Sequence, residues 1–179
     1  YRYDGKTGKI TPLEPKDAKP PLGSGPRHMA YHPTLPMVYF SNEQGVGLSS
    51  YRREINGQLK VAQDINILPS GMSKIGLSAS DLLITPDGKF LFAGLRGHRQ
   101  DFDRISRYRV LKDGRAEFIG LTKADRVPWG LTLSPDGKFL LVSATAGASL
   151  TAYQISPDGD LKKFTSLPWD PKMSDLVAR

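Results

Sequence analysis

A twelve-residue pattern that occurs twice constrains the fold of this chain more than any other feature of its sequence. The stretch Asp81-Leu-Leu-Ile-Thr-Pro-Asp-Gly-Lys-Phe-Leu-Phe92 is repeated as Gly130-Leu-Thr-Leu-Ser-Pro-Asp-Gly-Lys-Phe-Leu-Leu141. Each copy has a short apolar run, a Pro-Asp-Gly break and a second apolar run. Because proline presets φ for a tight turn and glycine adopts positive φ without steric cost, each copy predicts a β-hairpin.

A third and weaker copy, at residues 28–39, sets the repeat length. The prolines of the three copies, Pro33, Pro86 and Pro135, are 53 and 49 residues apart. Strand-rich repeats of about 50 residues are typical of propeller blades. No segment keeps an apolar period of 3.6 residues over three turns, so little helix is expected. The sequence therefore predicts an all-β protein made of β-propeller blades, each with four antiparallel strands.

The repeats divide the chain into three full blades and two partial ones, all in one propeller domain. The full blades are predicted at 26–78, 79–127 and 128–167. Residues 1–25 are interpreted as the tail of a preceding blade with a crossing segment, and 168–179 as a strand of a closing blade. Known propellers have about four to eight blades, so these units cannot close a ring. We expect a fragment whose open flanks are covered by missing N-terminal blades or by a second copy of the chain.

Each full blade is predicted to contain four strands. The predicted strands are 28–33, 37–42, 47–55 and 59–67, then 81–86, 90–95, 105–111 and 116–122, then 130–135, 139–145, 149–155 and 161–166.

Composition argues against several classes of site and partner. The 25 Lys and Arg outnumber the 18 Asp and Glu, for a net charge of +7, but no run of five basic residues occurs. This spread favours a solvated surface over a nucleic-acid site, and no nucleic-acid partner is expected. The absence of cysteine excludes disulfides and thiolate zinc sites. No apolar stretch reaches the roughly 18 residues that span a membrane, so no membrane partner is expected. We expect a cytoplasmic protein.

The three histidines do not indicate a metal site. His28, His32 and His98 lack the close spacing of transition-metal ligands, and Asp101 with Asp103 does not form a calcium loop. His32 is interpreted as structural and His98 as solvated. No metal or cofactor is expected.

Blade connectivity predicts which face carries function. In an up-and-down blade, the loops that enter the first strand and those that join the second and third strands lie on one face. Long loops on a rigid scaffold commonly carry functional residues. Since the ends of innermost strands converge on the central channel, Arg27, His28, Glu43, Arg96 and Asp81 are predicted to meet there.

Four of these residues also have a structural alternative. Asp81 begins an inner strand and could cap the backbone of a neighbouring blade. His28 could be hydrogen-bonded between blades. Glu43 and Arg96 could form a salt bridge at the mouth of the channel.

Three motifs resemble a known family. Gly25-Pro-Arg-His-Met-Ala-Tyr-His-Pro33, Tyr39-Phe-Ser-Asn-Glu43 and the segment 79–92 resemble the seven-bladed propeller lactonases. That family includes a 6-phosphogluconolactonase and the fungal carboxymuconate-lactonising cyclase. The resemblance covers almost the whole chain, corresponds to the C-terminal half of a family member and implies a ring of seven blades.

The resemblance also implies a site. The family has a basic channel cluster with one glutamate, which maps to Arg27, His28, Glu43 and Arg96. The family often has Pro-Arg-Gly where this chain has Pro128-Trp129-Gly130, so one expected channel arginine is replaced by tryptophan.

The implied chemistry is hydrolysis of a sugar-acid lactone such as 6-phosphogluconolactone, without a cofactor. Glu43 or neutral His28 could be the general base. Arg27 and Arg96 could stabilise the oxyanion or hold a carboxylate or phosphate group. The predicted catalytic residues are His28, Glu43 and Arg96, and the predicted substrate-binding residues are Arg27, Asn42, Asp81 and Trp129.

Three other functions remain open at this point. A non-catalytic propeller could use the same cluster to bind a ligand or a protein. A lactonising cyclase of the carboxymuconate type would use the same groups in an elimination or addition. Nucleic-acid binding would show an affinity that falls steeply with salt. The expected partner is a small anionic lactone.

Overall fold

The computed structural model describes residues 1–15, 17–98, 101–170 and 175–178. Within these ranges the chain contains fourteen β-strands and no helix. The strands form three four-stranded sheets and one two-stranded sheet, and neighbouring strands are antiparallel and consecutive in the chain. The prediction of an all-β chain with four-stranded propeller blades is confirmed.

The strand bounds follow the predicted repeat. The N-terminal hairpin pairs β1 (Arg2–Tyr3) with β2 (Ile10–Thr11). The first blade consists of β3 (Pro26–Tyr31), β4 (Met37–Asn42), β5 (Gly47–Arg53) and β6 (Leu59–Asn66). The second consists of β7 (Leu77–Ile84), β8 (Phe90–Gly97), β9 (Arg104–Val110) and β10 (Ala116–Lys123). The third consists of β11 (Pro128–Leu133), β12 (Phe139–Ala144), β13 (Ser149–Ile155) and β14 (Leu161–Pro168).

The Pro-Asp-Gly turns form through local hydrogen bonds. Asp87 Oδ1 accepts from Thr85 Oγ1 at 2.6 Å and from the Lys89 N–H at 3.1 Å. Gly88 has a φ of 73° and donates its N–H to the Thr85 carbonyl. Asp136 makes the same set of bonds in the third blade. The second and third blades therefore reverse direction through the same turn chemistry.

The hydrophobic core lies between blades. On β8, Leu91 belongs to a cluster shared with the first blade, whereas Phe92 belongs to a cluster shared with the third. Successive strand residues point to opposite faces, so the second blade packs on both sides. The fully buried Tyr39 donates its hydroxyl to the carbonyl of Gly114, 2.8 Å away in the neighbouring blade.

The two outer blades expose apolar side chains. Met29, Tyr31 and Val61 of the first blade and Phe164 and Leu167 of the third are each at least half exposed. In contrast, the first and second blades pack face to face at one core cluster, and the second and third blades pack face to face at the other. Coverage of the outer flanks by further blades or by a second copy stays a prediction.

The inner strands begin earlier than predicted, at 26, 77 and 128 instead of 28, 81 and 130. The predicted closing strand at 168–179 falls partly on residues 171–174 and 179, which lie outside the described part of the chain. Residues 175–178 are described and form no strand, although the backbone of Asp175 lies beside Gly130 of β11. Within the described ranges, no helix has the length and apolar character needed to cross a membrane.

Candidate active site

The inner strand of each blade is interrupted at the same place by an extra residue. In β3 the extra residue lies between Pro26 and Met29, and in β7 between Ala79 and Leu82. In β11 it is Trp129. Such β-bulges redirect side chains and are frequent beside active sites. Four predicted site residues lie within these bulges, namely Arg27, His28, Asp81 and Trp129.

Serines of the second strand bind the bulged backbone. The N–H of His28 donates to Ser41 Oγ at 3.2 Å, and that of Gly130 donates to Ser143 Oγ at 3.1 Å. Ser41 and Ser143 are at equivalent positions of β4 and β12. They satisfy N–H groups that the irregular pairing leaves without a ladder partner.

The second blade uses a different arrangement. The equivalent position of β8 is Gly94, where an added Cβ would lie 2.2 Å from Ser80 Oγ. The Ser80 hydroxyl uses this space to donate to the Pro128 carbonyl of the third blade at 2.8 Å. The bond connects the bulge of β7 with the residue that precedes Trp129.

Two arginines share one glutamate oxygen. Glu43 Oε1 accepts from Arg27 Nη1 at 2.8 Å and from Arg96 Nη2. Arg96 is 2% exposed and also donates to the carbonyl of Ala79 at 3.1 Å. Burial favours the neutral form of Glu43, but the hydrogen bonds and charges of Arg96 and Arg27 outweigh it and lower the pKa of this carboxyl group. Glu43 is therefore a carboxylate at neutral pH, and the three groups carry a net charge of about +1.

Trp129 completes this cluster. The Cζ atom of Arg96 lies 4.4 Å from the centroid of the Trp129 ring, and that of Arg27 lies 5.1 Å from it. Both distances are within the range of cation–π attraction. We call Arg27, Glu43, Arg96 and Trp129 the channel cluster; the first blade supplies two members and the other blades one each.

Two valines with positive φ flank the channel cluster. Val46, with φ of 53°, ends the turn that contains Glu43, and Val127, with φ of 59°, precedes Pro128 and Trp129. This region is unfavourable for β-branched residues, so both positions store strain. The N–H of Val127 is held by Asp103 Oδ1 at 2.8 Å.

His28 and Asp81 form a second pair at the junction of the first two blades. His28 Nδ1 lies 3.0 Å from Asp81 Oδ1. Asp81 also accepts the N–H of Leu82 on its own strand at 2.8 Å and that of Leu131 in the third blade at 2.9 Å. The structural alternatives considered for both residues correspond to these contacts, and a functional role stays a prediction.

Asn42 is directed into its own blade. It is 2% exposed, and its amide donates to Ser49 Oγ at 2.6 Å and to Asp64 Oδ1 at 3.0 Å. Among the described residues, no hydrogen bond joins the Asn42 side chain to the channel cluster. Its predicted contact with substrate therefore stays a prediction without support from this geometry.

The other histidines make local contacts. His32 Nδ1 accepts backbone N–H groups of its own turn, and burial lowers its pKa. His98 is exposed, with Nε2 2.9 Å from Ser78 Oγ. In the described ranges, no group of three or more His, Asp or Glu residues is arranged to hold a metal ion.

Comparison of sequences identifies relatives along nearly the whole chain. The family described as "Lactonase, 7-bladed beta-propeller" matches residues 1–171. The 6-phosphogluconolactonase of Yersinia enterocolitica is 29% identical over 164 residues, which are 90% of this chain and 48% of that protein. That of Erwinia tasmaniensis is 30% identical over 158 residues, or 87% of this chain and 46% of that protein. The chain spans about half the length of these relatives.

Solved structures share the fold. The periplasmic gluconolactonase of Pseudomonas aeruginosa superposes with a TM-score of 0.79 at 24% identity, over 88% of this chain and 44% of that one. A protein from Lactobacillus plantarum superposes with a TM-score of 0.77 at 20% identity, over 86% and 44%. At this level of identity the likeness establishes the architecture alone.

Proposed function

The chain belongs to the family of seven-bladed β-propeller lactonases, and we propose that the protein it forms part of hydrolyses a sugar-acid lactone such as 6-phosphogluconolactone. The observation that supports this proposal most directly is the channel cluster. It brings two arginines, one of them buried, and a carboxylate together from two neighbouring blades. A binding site for an anionic lactone requires such a set of fixed N–H donors.

The arginines are assigned to the carbonyl and acid groups of the lactone. Water adds to the carbonyl carbon, the tetrahedral oxyanion collapses, and the ring C–O bond breaks to give the hydroxy acid. Each guanidinium has five N–H donors in a planar fork, and Glu43 occupies only part of each fork. The remaining N–H groups of Arg27, whose side chain is 27% exposed, can bind the oxyanion or the anionic substituent of the substrate, and the buried Arg96 adds positive charge beside them.

Glu43 is assigned to orientation and charge balance. A carboxylate that two arginines hold in the ionised form is a weak proton acceptor, because its pKa is lowered. Its Oε1 fixes the two guanidinium groups relative to each other. The base that takes the proton from water is therefore a different group.

The contacts that already occupy both guanidinium groups of the channel cluster favour a second candidate function. Trp129 and Glu43 already engage both guanidinium groups, as expected for a platform that binds an anion without turning it over. The two functions differ in turnover but share the same binding residues.

The test compares turnover with binding in the full-length protein. Hydrolysis of 6-phosphogluconolactone and of gluconolactone is measured against the spontaneous rate. Binding of gluconate and 6-phosphogluconate is followed by Trp129 fluorescence in a Trp169→Phe background, since Trp129 and Trp169 are the two tryptophans of this chain. If the parent protein has further tryptophans, they are replaced as well.

Arg27→Met is the informative variant, and Arg109→Met is its matched control. Loss of one preorganised donor to an oxyanion lowers kcat by about 100-fold to 1000-fold. Arg109 forms an exposed pair with Glu117 at 3.3 Å, so its replacement is expected to leave turnover unchanged. Binding without turnover in the unmodified protein would favour the platform, and the absence of both would reject both functions.

A further inference from the structure

The hydrogen bond between His28 and Asp81 determines which imidazole nitrogen carries the proton. An ionised carboxylate can only accept hydrogen bonds, so a neutral His28 at 3.0 Å from Asp81 Oδ1 must carry its hydrogen on Nδ1. The lone pair then lies on Nε2. Among the described residues, Nε2 of His28 has no hydrogen-bond partner, and the side chain is 41% exposed.

Asp81 is fixed more firmly than an ordinary surface carboxylate. The backbone N–H groups of Leu82 and Leu131 hold its two oxygens from two different blades. Its side chain is 18% exposed, so it lies behind the more accessible imidazole. A carboxylate in this position can orient the ring and stabilise the imidazolium ion when the ring accepts a proton.

The pair lies at the same blade junction as the two arginines. His28 follows Arg27 within the bulge of β3. Ala79, two residues before Asp81, donates its N–H to the Glu43 carbonyl at 3.2 Å and accepts a hydrogen bond from Arg96. Ala79 therefore links Glu43 and Arg96 to β7, the strand that also carries Asp81.

We propose that Asp81 is a positioning residue that holds His28 in the Nδ1–H tautomer, and that His28 Nε2 is the general base of lactone opening. This inference rests on the proposed function. As the water oxygen bonds to the carbonyl carbon, a water proton moves to Nε2. When the ring C–O bond breaks, the same proton moves from Nε2 to the leaving alkoxide, which returns His28 to its neutral form.

The tautomer is tested by a measurement that does not require turnover. A two-bond ¹H–¹⁵N correlation spectrum separates protonated from unprotonated ring nitrogens, and three histidines in this chain make assignment by substitution practical. The Nδ1–H form is expected for His28. Asp81→Asn is expected to weaken the preference for the Nδ1–H form, because the amide has one acceptor oxygen for the N–H groups of Leu82, Leu131 and His28. An Nε2–H tautomer in the unmodified protein would overturn the proposal.

Kinetics test the role of the base. Asp81→Asn and His28→Gln are each expected to lower kcat by about 100-fold to 10,000-fold with KM within about threefold. Asp81→Glu, which keeps an acceptor, should recover part of the loss. Ser80→Ala is the matched control, because it removes another hydrogen bond between the second and third blades without altering His28.

The outcomes separate this inference from the proposed function. Unchanged kcat in folded Asp81→Asn, or a loss in Ser80→Ala as large as in Asp81→Asn, would overturn the positioning role. Absence of lactonase activity in the unmodified protein would overturn the proposed function and the role of His28 as base together. In that case an Nδ1–H spectrum would still establish the pair as a structural contact.

Discussion

The indole ring of Trp129 lies against the guanidinium group of Arg96, whose Cζ atom is 4.4 Å from the ring centroid. The family resemblance implies an arginine at position 129. An arginine there would be a third cation beside Arg27 and Arg96. Tryptophan instead offers the negative face of its π-system to both cations. Trp129 therefore adds no charge to the channel cluster, and its ring lies within cation–π range of Arg27 and Arg96.

Replacing Trp129 should weaken the cluster according to the character of the new side chain. Trp129→Leu is expected to lower the free energy of unfolding by about 1–2 kcal/mol beyond the effect of its smaller size, because it removes the cation–π attraction. Trp129→Phe keeps a ring and should lose less. Urea denaturation of both variants measures the difference. Equal stability of the Leu and Phe variants would show that the ring contributes only volume.

Glu43 should make stability depend on pH below neutrality. The pKa of Glu43 is lowered in the folded chain, because the hydrogen bonds and charges of Arg96 and Arg27 outweigh the effect of burial. Its contribution is therefore present above the unfolded pKa of about 4.5 and is lost as the pH falls through the folded pKa. Glu43→Gln should be less stable than the parent at about pH 7, and the gap should narrow only as the pH falls below about 4.5.

Urea denaturation at several pH values measures this gap. Glu117→Gln is the control, because it removes an exposed carboxylate that pairs with Arg109. The control should differ little from the parent throughout the range. A gap for Glu43→Gln that is constant with pH would contradict the charge interaction.

The sequence predicted the blades well because their turns depend on local chemistry. Pro-Asp-Gly places a carboxylate and a positive φ at fixed positions, and Asp87 and Asp136 make the resulting bonds. The bulges were not predicted. Arg27 and His28 are consecutive, and a regular strand would direct them to opposite faces. No residue type in the sequence indicates the extra residue of each inner strand, because the serines whose hydroxyl groups bind the bulged backbone also occur at ordinary strand positions.

Asn42 shows that the position of a residue in the sequence does not by itself predict the contacts of its side chain. The sequence analysis predicts that Asn42 binds substrate, yet its amide is bound to Ser49 and Asp64 of its own blade. The adjacent residue Glu43 instead reaches Arg27 and Arg96. A buried asparagine at the end of a strand could have been interpreted as a partner for polar groups on the neighbouring strands.

The two strained valines should respond in opposite directions to the same substitution. Asparagine tolerates positive φ better than valine does, so Val127→Asn should raise the free energy of unfolding by about 1 kcal/mol. Val46 has no exposed surface. Val46→Asn should lower the free energy of unfolding by more than the relief of strain, since it buries an amide in an apolar site. Thermal denaturation measures the stability of both variants. Destabilisation by Val127→Asn would show that the packing of the valine side chain outweighs the strain.

Gly94 should be replaceable only when Ser80 is also changed. The φ of Gly94 lies outside the left-handed region, so the obstacle to a side chain is space. An added Cβ would lie 2.2 Å from Ser80 Oγ and 3.1 Å from the Pro128 carbonyl. Gly94→Ala is therefore expected to lower the free energy of unfolding by about 1–3 kcal/mol, as overpacked sites do. Ser80→Ala alone should lower it by about 1 kcal/mol through the lost hydrogen bond to Pro128.

The double variant tests whether the Ser80 hydroxyl alone is what excludes a side chain at position 94. With the hydroxyl absent, the methyl group that Gly94→Ala introduces occupies its space, so Ser80→Ala with Gly94→Ala should be more stable than the sum of the single effects by about 1 kcal/mol or more. Gly5→Ala is the control, because an added Cβ there meets nothing nearer than 3.8 Å. Urea denaturation of the four proteins of the cycle gives the coupling. Additive effects would show that Gly94 is required for a reason other than the Ser80 hydroxyl, and the bond from Ser80 to Pro128 would then not explain the glycine at this bulge.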